Sequence, residues 1–244
     1  MVSINPKNEQ QHNRHFEFQI LNNTPHMDGC YALRYQVYCN ERSYLDDNSS
    51  LNHRDTDRFD PFALQIGGFA PTGALAGTVR LIPYYASAGL PMLDHCQIDE
   101  KHQALFQNSA NGGDCRVAEI SRLAVSKEYF WNSAKAARAS RKNEKPETGV
   151  VSHRFVGRRL RTQMVLGLYR TMYQASKKGG ITHWLAAMEK PLLNLLKASL
   201  FTNFLPIGPE VDYHGPVTPY IQSIEELEQQ MYDCDTALLK EMCV

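Results

Sequence analysis

The stretch from Arg116 to Val125 constrains this chain most. Its small and β-branched residues predict a strand, and Gly112-Gly113-Asp114 before it predicts a turn. Yet Glu119 and Arg122 sit in its middle. An unpaired charge in a sheet is unfavourable by several kcal/mol, so such groups are normally paired or functional. In a regular strand this spacing sends Glu119 and Arg122 to opposite faces. A β-bulge brings them to one side, and bulges cluster beside active sites. For the strand alone, a buried ion pair that only fixes sheet register is the simpler reading.

The surrounding pattern alternates strands and helices. His15 to Ile20 alternates apolar and polar residues and predicts a first strand. Thr24 as N-cap and Pro25 at the first helical position open a helix running to about Tyr38. Residues 40–60 form a long polar, acidic loop, a length associated with function in compact domains. Residues 62–69 and 75–82, joined by Pro71-Thr72-Gly73, predict an antiparallel hairpin. After the central strand comes a polar insertion at 126–150, basic from Lys135 to Lys145. An amphipathic helix follows from His153 to Lys178, stopped by Gly179-Gly180. A strand at 181–188, a short helix at 191–200 and strands at 204–207 and 211–221 come next. Ser223-Ile224-Glu225-Glu226 has the capping-box pattern and opens a last helix. The expected organisation is a flexible N-terminus at 1–14 and one α/β domain at 15–244, with a mixed sheet covered by helices on both faces.

Composition narrows the class. The formal net charge is zero, which gives no global argument for nucleic acid. Residues 1–14 contain no apolar signal-peptide core, and no apolar run approaches the roughly 18 residues of a spanning helix. The 6 cysteines contain no C-x-x-C pair. Reduced thiols in a cytoplasmic protein are the expectation, with no zinc site. The histidines show no metal-ligand spacing, so no metal is expected.

Four strings resemble one family in order. Arg34, Tyr38 and Tyr44 match the spacing of an Arg and two aromatics in the first helix of the acyl-homoserine-lactone synthases. Asp57-Arg58-Phe59-Asp60 resembles their D-x-[YF]-D. Gly77 to Pro83 resembles their T-x-R-L-x-P strand, and Glu119 to Leu123 their E-x-S-R-[FL] strand. The second half, from Phe204 to Gly215 and at Pro219-Tyr220-Ile221, is closer to a sister group. That group comprises the acyltransferases of PEP-CTERM/exosortase systems and the related bacterial N-acyl amino acid synthases.

The resemblance implies the GNAT fold and transfer of a long fatty acyl chain from acyl carrier protein to the amine of an amino acid or similar small molecule. The donor would be the acyl-phosphopantetheine thioester, with no bound cofactor. Typical acetyl-CoA enzymes of this fold carry R-x-x-G-x-G/A, whose amides hold a pyrophosphate. The segment Val151 to Leu160 lacks that glycine pattern, which favours a carrier protein, since it presents no diphosphate.

In that fold the thioester lies between the central strand and the strand at 181–188. A backbone N–H near Leu123 would stabilise the tetrahedral oxyanion. Glu119 is the expected base for the acceptor amine, with Arg122 beside it. The simpler role for Glu119 is to orient Arg122 or Arg80. Arg34, Arg80, Asp57 and Asp60 are expected with the substrate or in a structural charge cluster, and Tyr38 and Tyr44 around the acceptor. Met164, Leu168 and Met188 would set acyl length. Arg154, Arg158, Arg159 and Arg161, on a helix without Asp or Glu, would dock the acidic carrier protein. The product, a lipid, implies transient membrane association. Two rivals remain: an acyl-homoserine-lactone synthase using S-adenosylmethionine, and a non-catalytic GNAT-like module that binds a carrier or partner.

Overall fold

The computed structural model describes residues 15–21, 25–45, 51–85, 87–110, 114–127, 129–130 and 153–243. Thr24, Gly112-Gly113 and the basic segment from Lys135 to Lys145 lie outside them, as do the side chains of residues 153–156, Arg154 included.

An 8-stranded sheet organises the molecule. Its strands are β1 (Glu17–Leu21), β2 (Leu64–Phe69), β3 (Leu75–Pro83), β4 (Val117–Val125), β5 (His183–Met188), β6 (Leu205–Pro206), β7 (Val211–Asp212) and β8 (Pro216–Ser223). The order is β1-β2-β3-β4-β5-β8-β6, with β7 pairing β8. Among the described strands only β4 and β5 run parallel. The predicted hairpin is β2–β3. The predicted strand at 211–221 is two, because His214 adopts φ 57 and Gly215 φ 101 and turn the chain between β7 and β8.

The period-2 pattern sorts the two layers. Val79 and Leu81 of β3 join Ala118 and Ile120 of β4 in the main core. The helix α4 (His153–Lys178) covers this face with Met164, Leu168 and Met172. Alternate residues, such as Ile82 and Val117, face a second core with Met92, Cys96 and Phe106. Met92 lies on α2 (Pro91–His95), Cys96 directly follows it, and Phe106 lies on α3 (Glu100–Ala110). The helix α1 (Pro25–Tyr35) packs on β2, β3 and β4, with Leu33 against Ala124.

Two glycines let α4 approach closely. Gly68 and Gly77 are register partners across β2–β3, and a Cβ on either would strike Met164. At Gly167 on α4 itself, a Cβ would strike the ring of Phe18. The C-terminal part follows the sequence pattern closely. α5 (Lys190–Leu200) leads into β6, and α6 (Ile224–Cys234) starts where Ser223 Oγ accepts from Glu226 N at 3.3 Å. A further helix, α7 (Thr236–Cys243), was not separated from α6 by the sequence pattern.

Candidate active site

The central strand carries the expected bulge. Arg80 pairs with Ser121 and Thr78 with Ala124, so Arg122 and Leu123 stand opposite Val79 alone. Arg122 takes the left-handed conformation, φ 51, which is uncommon for a non-glycine residue. The extra residue turns Glu119, Ser121 and Arg122 to one face. Ser121 Oγ accepts from Arg80 Nε at 3.0 Å, and Arg122 Nε donates to Asp55 Oδ2 at 2.9 Å.

On its other side β4 leaves β5. The parallel register runs from Val117↔His183 to Glu119↔Leu185 and stops, while β5 continues beside β8 to Met188↔Thr218. A cavity of about 440 Å³ fills the resulting V. Glu119 to Leu123 form one wall and Ala186 to Glu189 the other. Leu123 has no register partner on β3 or β5. Its carbonyl accepts from Tyr38 Oη at 3.2 Å. Much of the lining is apolar: Val37, Val165, Leu192, Leu195, Met188 and Val217. Met188 lines the cavity, whereas Met164 and Leu168 pack between α4 and the sheet and do not.

Glu119 is 2% exposed. Its Oε2 accepts from the Met92 N–H at 2.8 Å, a free amide in the first turn of α2. Burial pushes its carboxyl up to about 7, against the Met92 bond and the charges of Arg80 and Arg122. Among the described residues Glu119 forms no ion pair, so the simpler reading of a register-fixing Glu119–Arg122 salt bridge is set aside.

The arginines are answered by aspartates. Arg34 donates from Nε to Asp55 Oδ2 at 3.0 Å and from Nη1 to Asp60 Oδ1 at 2.7 Å. Arg80 Nη1 reaches Asp57 Oδ1 at 2.6 Å and Asp60 Oδ1 at 2.9 Å. Arg122 Nη2 lies 3.5 Å from Asp57 Oδ2. Burial alone would raise the Asp57 and Asp60 carboxyls, but hydrogen bonds and charge from Arg80 and Arg34 bring both below the ordinary value. Arg34 and Arg80 are fully buried and do not line the cavity, and neither does Asp60. Their geometry is that of a charge cluster behind the wall, one of the two roles the sequence left open for them. Asp57 lines a smaller adjoining pocket with Asp55, Arg58 and His95. Arg122, Tyr213 and His214 line both spaces. Tyr213 stacks on His95 with ring centroids 4.0 Å apart.

Tyr38 sits on a π-helical turn, Gln36–Glu41, that continues α1 where a longer α-helix was expected. Such turns recur at functional sites. Tyr38 and Tyr44 both line the cavity. Sequence reasoning missed Arg42 and Glu189, whose Nη1 and Oε1 meet at 2.5 Å. Tyr44 Oη donates to the same Glu189 oxygen at 2.8 Å. It also missed Asp55, which bridges Arg34 and Arg122. These residues stand alone in loops or at a strand end, where no periodicity marks them. Of the helix arginines, Arg158 and Arg159 are both exposed, and Arg158 and the half-buried Arg161 also line the cavity. Among the described residues no metal-binding cluster occurs, and no helix is long and apolar enough to cross a membrane.

Residues 33–140 match the family described as Acetyltransferase (GNAT) domain. No curated protein sequence matches significantly. Among solved structures, the chain resembles FeeM, an N-acyl amino acid synthase from uncultured soil microbes. The identity is 17% over 88% of this chain and 94% of that one, with TM-score 0.55. It also resembles the AHL synthase LasI, at 14% identity over 86% and 90%, TM-score 0.53. A third is BjaI, a CoA-dependent acyl-homoserine lactone synthase, at 15% identity over 85% and 81%, TM-score 0.50. At these identities the likeness establishes the fold. A GNAT acetyltransferase domain matched at residues 33–140 and the GNAT fold of the chain together support an acyl-transferring enzyme.

Proposed function

We propose that the protein is an N-acyltransferase that moves a long-chain fatty acyl group from acyl carrier protein to the amine of an amino acid or similar small molecule. The observation that carries this reading is the V between β4 and β5, where a buried carboxylate and an unpaired backbone register position meet an apolar cavity. The thioester lies along the wall from Glu119 to Leu123, with its carbonyl oxygen toward the Leu123 amide. An α-amino group has a pKa of about 7.7–8.0, and a base poised near 7 suits its deprotonation. Glu119, raised to about 7, takes that proton directly or through one water. The amine then attacks the thioester carbonyl, and collapse of the tetrahedral intermediate breaks the C–S bond, the second amine proton passing to the departing thiolate to leave amide and free thiol. Burial raises the phenols of Tyr38 and Tyr213 further above their ordinary value; Tyr38 donates its proton to the Leu123 carbonyl, which leaves Tyr213 as a hydrogen-bond donor toward substrate. The apolar lining from Val37 to Leu195 accommodates the chain, and the polar space beyond Arg122 and Tyr213 admits the acceptor.

The test is thioester consumption by purified protein supplied with acyl carrier protein charged with fatty acids and a mixture of amino acids. The expected result is release of the carrier thiol together with an N-acyl amino acid detected by mass spectrometry. Turnover only with S-adenosylmethionine would replace this acceptor with that of the lactone synthases. No turnover with either acceptor, from carrier-protein or CoA thioesters, would remove the reading.

A further inference from the structure

The β4–β5 pairing stops at Glu119↔Leu185, so the V opens at the C-terminal ends of both strands. The segment at 36–44 crosses that open end. On the β4 side it is tied through side chain and backbone. Glu41 accepts from the Lys127 N–H at 3.0 and 3.1 Å, Gln36 Nε2 donates to Ser126 Oγ at 3.3 Å, and Tyr38 Oη donates to the Leu123 carbonyl. On the β5 side it is tied by side chains. Arg42 Nη1 and Tyr44 Oη both donate to Glu189 Oε1, in the residue that follows β5. The Arg42 guanidinium also lies over the Tyr44 ring, 5.3 Å from its centroid. Arg42, Tyr44 and Glu189 all line the cavity.

The backbone of this segment is not relaxed. Its π-helical turn is followed by Ser43 in the left-handed region, φ 53. Such conformations persist where surrounding contacts over-determine them, and they gather at clamps and switch regions. Gly215, φ 101, lets the turn before β8 lie against the same segment, since a Cβ there would stand 3.3 Å from the Tyr44 ring. The two attachments differ in strength. The β4 side is a hinge with several contacts, and the β5 side rests on one ion pair whose side chains are 26% and 29% exposed. A pair that open to water breaks and re-forms readily.

We propose that the 36–44 segment is a strap over the open end of the V, that Arg42 and Glu189 are its latch, and that closing it makes the amine rather than water the nucleophile that meets the thioester. This rests on the acyl-transfer reading above and adds what selects the acceptor. Water reaching the same carbonyl would lose its proton to the same base, break the same C–S bond and yield fatty acid and free thiol. Closure of a site expels water. It does not obstruct the amine, because the adjoining pocket beyond Arg122 and Tyr213 is lined by neither Arg42 nor Glu189. The latch pair acts by positioning the strap and takes no part in proton transfer.

The experiment measures how the full-length protein partitions a hexadecanoyl chain, presented on acyl carrier protein with a mixture of amino acids, between amide and free fatty acid. Glu189→Gln and Arg42→Gln should each raise the ratio of acid to amide by about two- to fivefold, the population shift that a half-exposed ion pair commands. Arg42→Lys should keep part of the wild-type ratio, and Arg42→Glu combined with Glu189→Arg should restore most of it. Lys177→Gln, which breaks an ion pair with Glu228 and does not line the cavity, should leave the ratio unchanged. Hydrogen exchange followed by mass spectrometry, which needs no turnover, should show the amides at 36–44 exchanging faster in Glu189→Gln while those of α4 stay the same. Variants that turn over more slowly with an unchanged ratio would overturn the proposal, and so would unchanged exchange at 36–44. Wild-type protein that consumes no thioester would instead remove the acyl-transfer reading, and with it the selection against water, whatever the strap does.

Discussion

Glu119 carries the sharpest consequences at the scale of single residues. Its carboxyl is buried, raised to about 7 and held by one backbone amide without an arginine partner. As the base for the amine, it predicts that kcat/KM rises with pH through about 7. Glu119→Gln should lower kcat by roughly 10²–10⁴-fold, with a smaller change in KM, because general-base catalysis is typically worth that much. Steady-state kinetics between pH 5.5 and 9 check both. The same shift acts on stability with the opposite sense. A raised carboxyl binds its proton more tightly when folded, so its contribution is full below about pH 4.5 and is lost as pH rises through about 7. At 1.36 kcal/mol per pKa unit the loss is roughly 3 kcal/mol. Glu119→Gln, which keeps an oxygen for the Met92 amide, should unfold at equal or higher denaturant concentration than wild type at pH 8. Glu119 and Arg122 were legible in the sequence because a strand pattern with charges in it is anomalous. Asp55 was not, since it sits in a loop 67 residues from Arg122 and its role exists only once the chain has folded.

At the scale of elements, the sheet was read well and its ends were not. The hairpin, the central strand, the long helix and the capped helix after Ser223 all follow from periodicity and turn chemistry. The π-helical turn at Gln36–Glu41 has no periodicity signal, because it continues the residues of a helix in a wider winding. The break between β7 and β8 rests on the backbone of His214, a residue able to enter the left-handed region but not marked for it. The packing of α4 is sharper than its pattern. Gly167→Ala should destabilise by about 1–3 kcal/mol through overpacking, despite the better helix propensity of alanine, since the Phe18 ring occupies the space. Adding Phe18→Leu should restore part of that loss, and urea denaturation of the two variants measures it.

For the whole molecule, charge compensation joins distant parts of the chain. Arg34 from α1, Arg80 from β3 and Arg122 from β4 meet Asp55, Asp57 and Asp60 from one loop, so the loop is fixed against the sheet behind the reaction wall. Asp60 also accepts from Gln65 Nε2 at 2.9 Å. Asp60→Ala would leave two buried arginines short of their partner and should destabilise the fold by about 3–5 kcal/mol, read from denaturant unfolding. The lowered Asp57 and Asp60 carboxyls set the sign on the acid side. Their contribution is present above the ordinary value of 3.8 and disappears as pH falls through the depressed values, so this loop should loosen below about pH 4. The sequence resemblance brought five of these six residues into view, and the structure places Arg34, Arg80 and Asp60 buried behind the cavity wall.

The proposed reaction joins an acyl chain to an amine in the V between β4 and β5, with Glu119 as base. Mass spectrometry of lipid extracts tests it directly, comparing cells that express the wild-type protein, the Glu119→Gln variant or an empty vector. An N-acylated amino acid or related amine is expected in the wild-type extract alone, and its mass identifies both the chain and the acceptor. The same product at equal yield from the folded Glu119→Gln variant would contradict it.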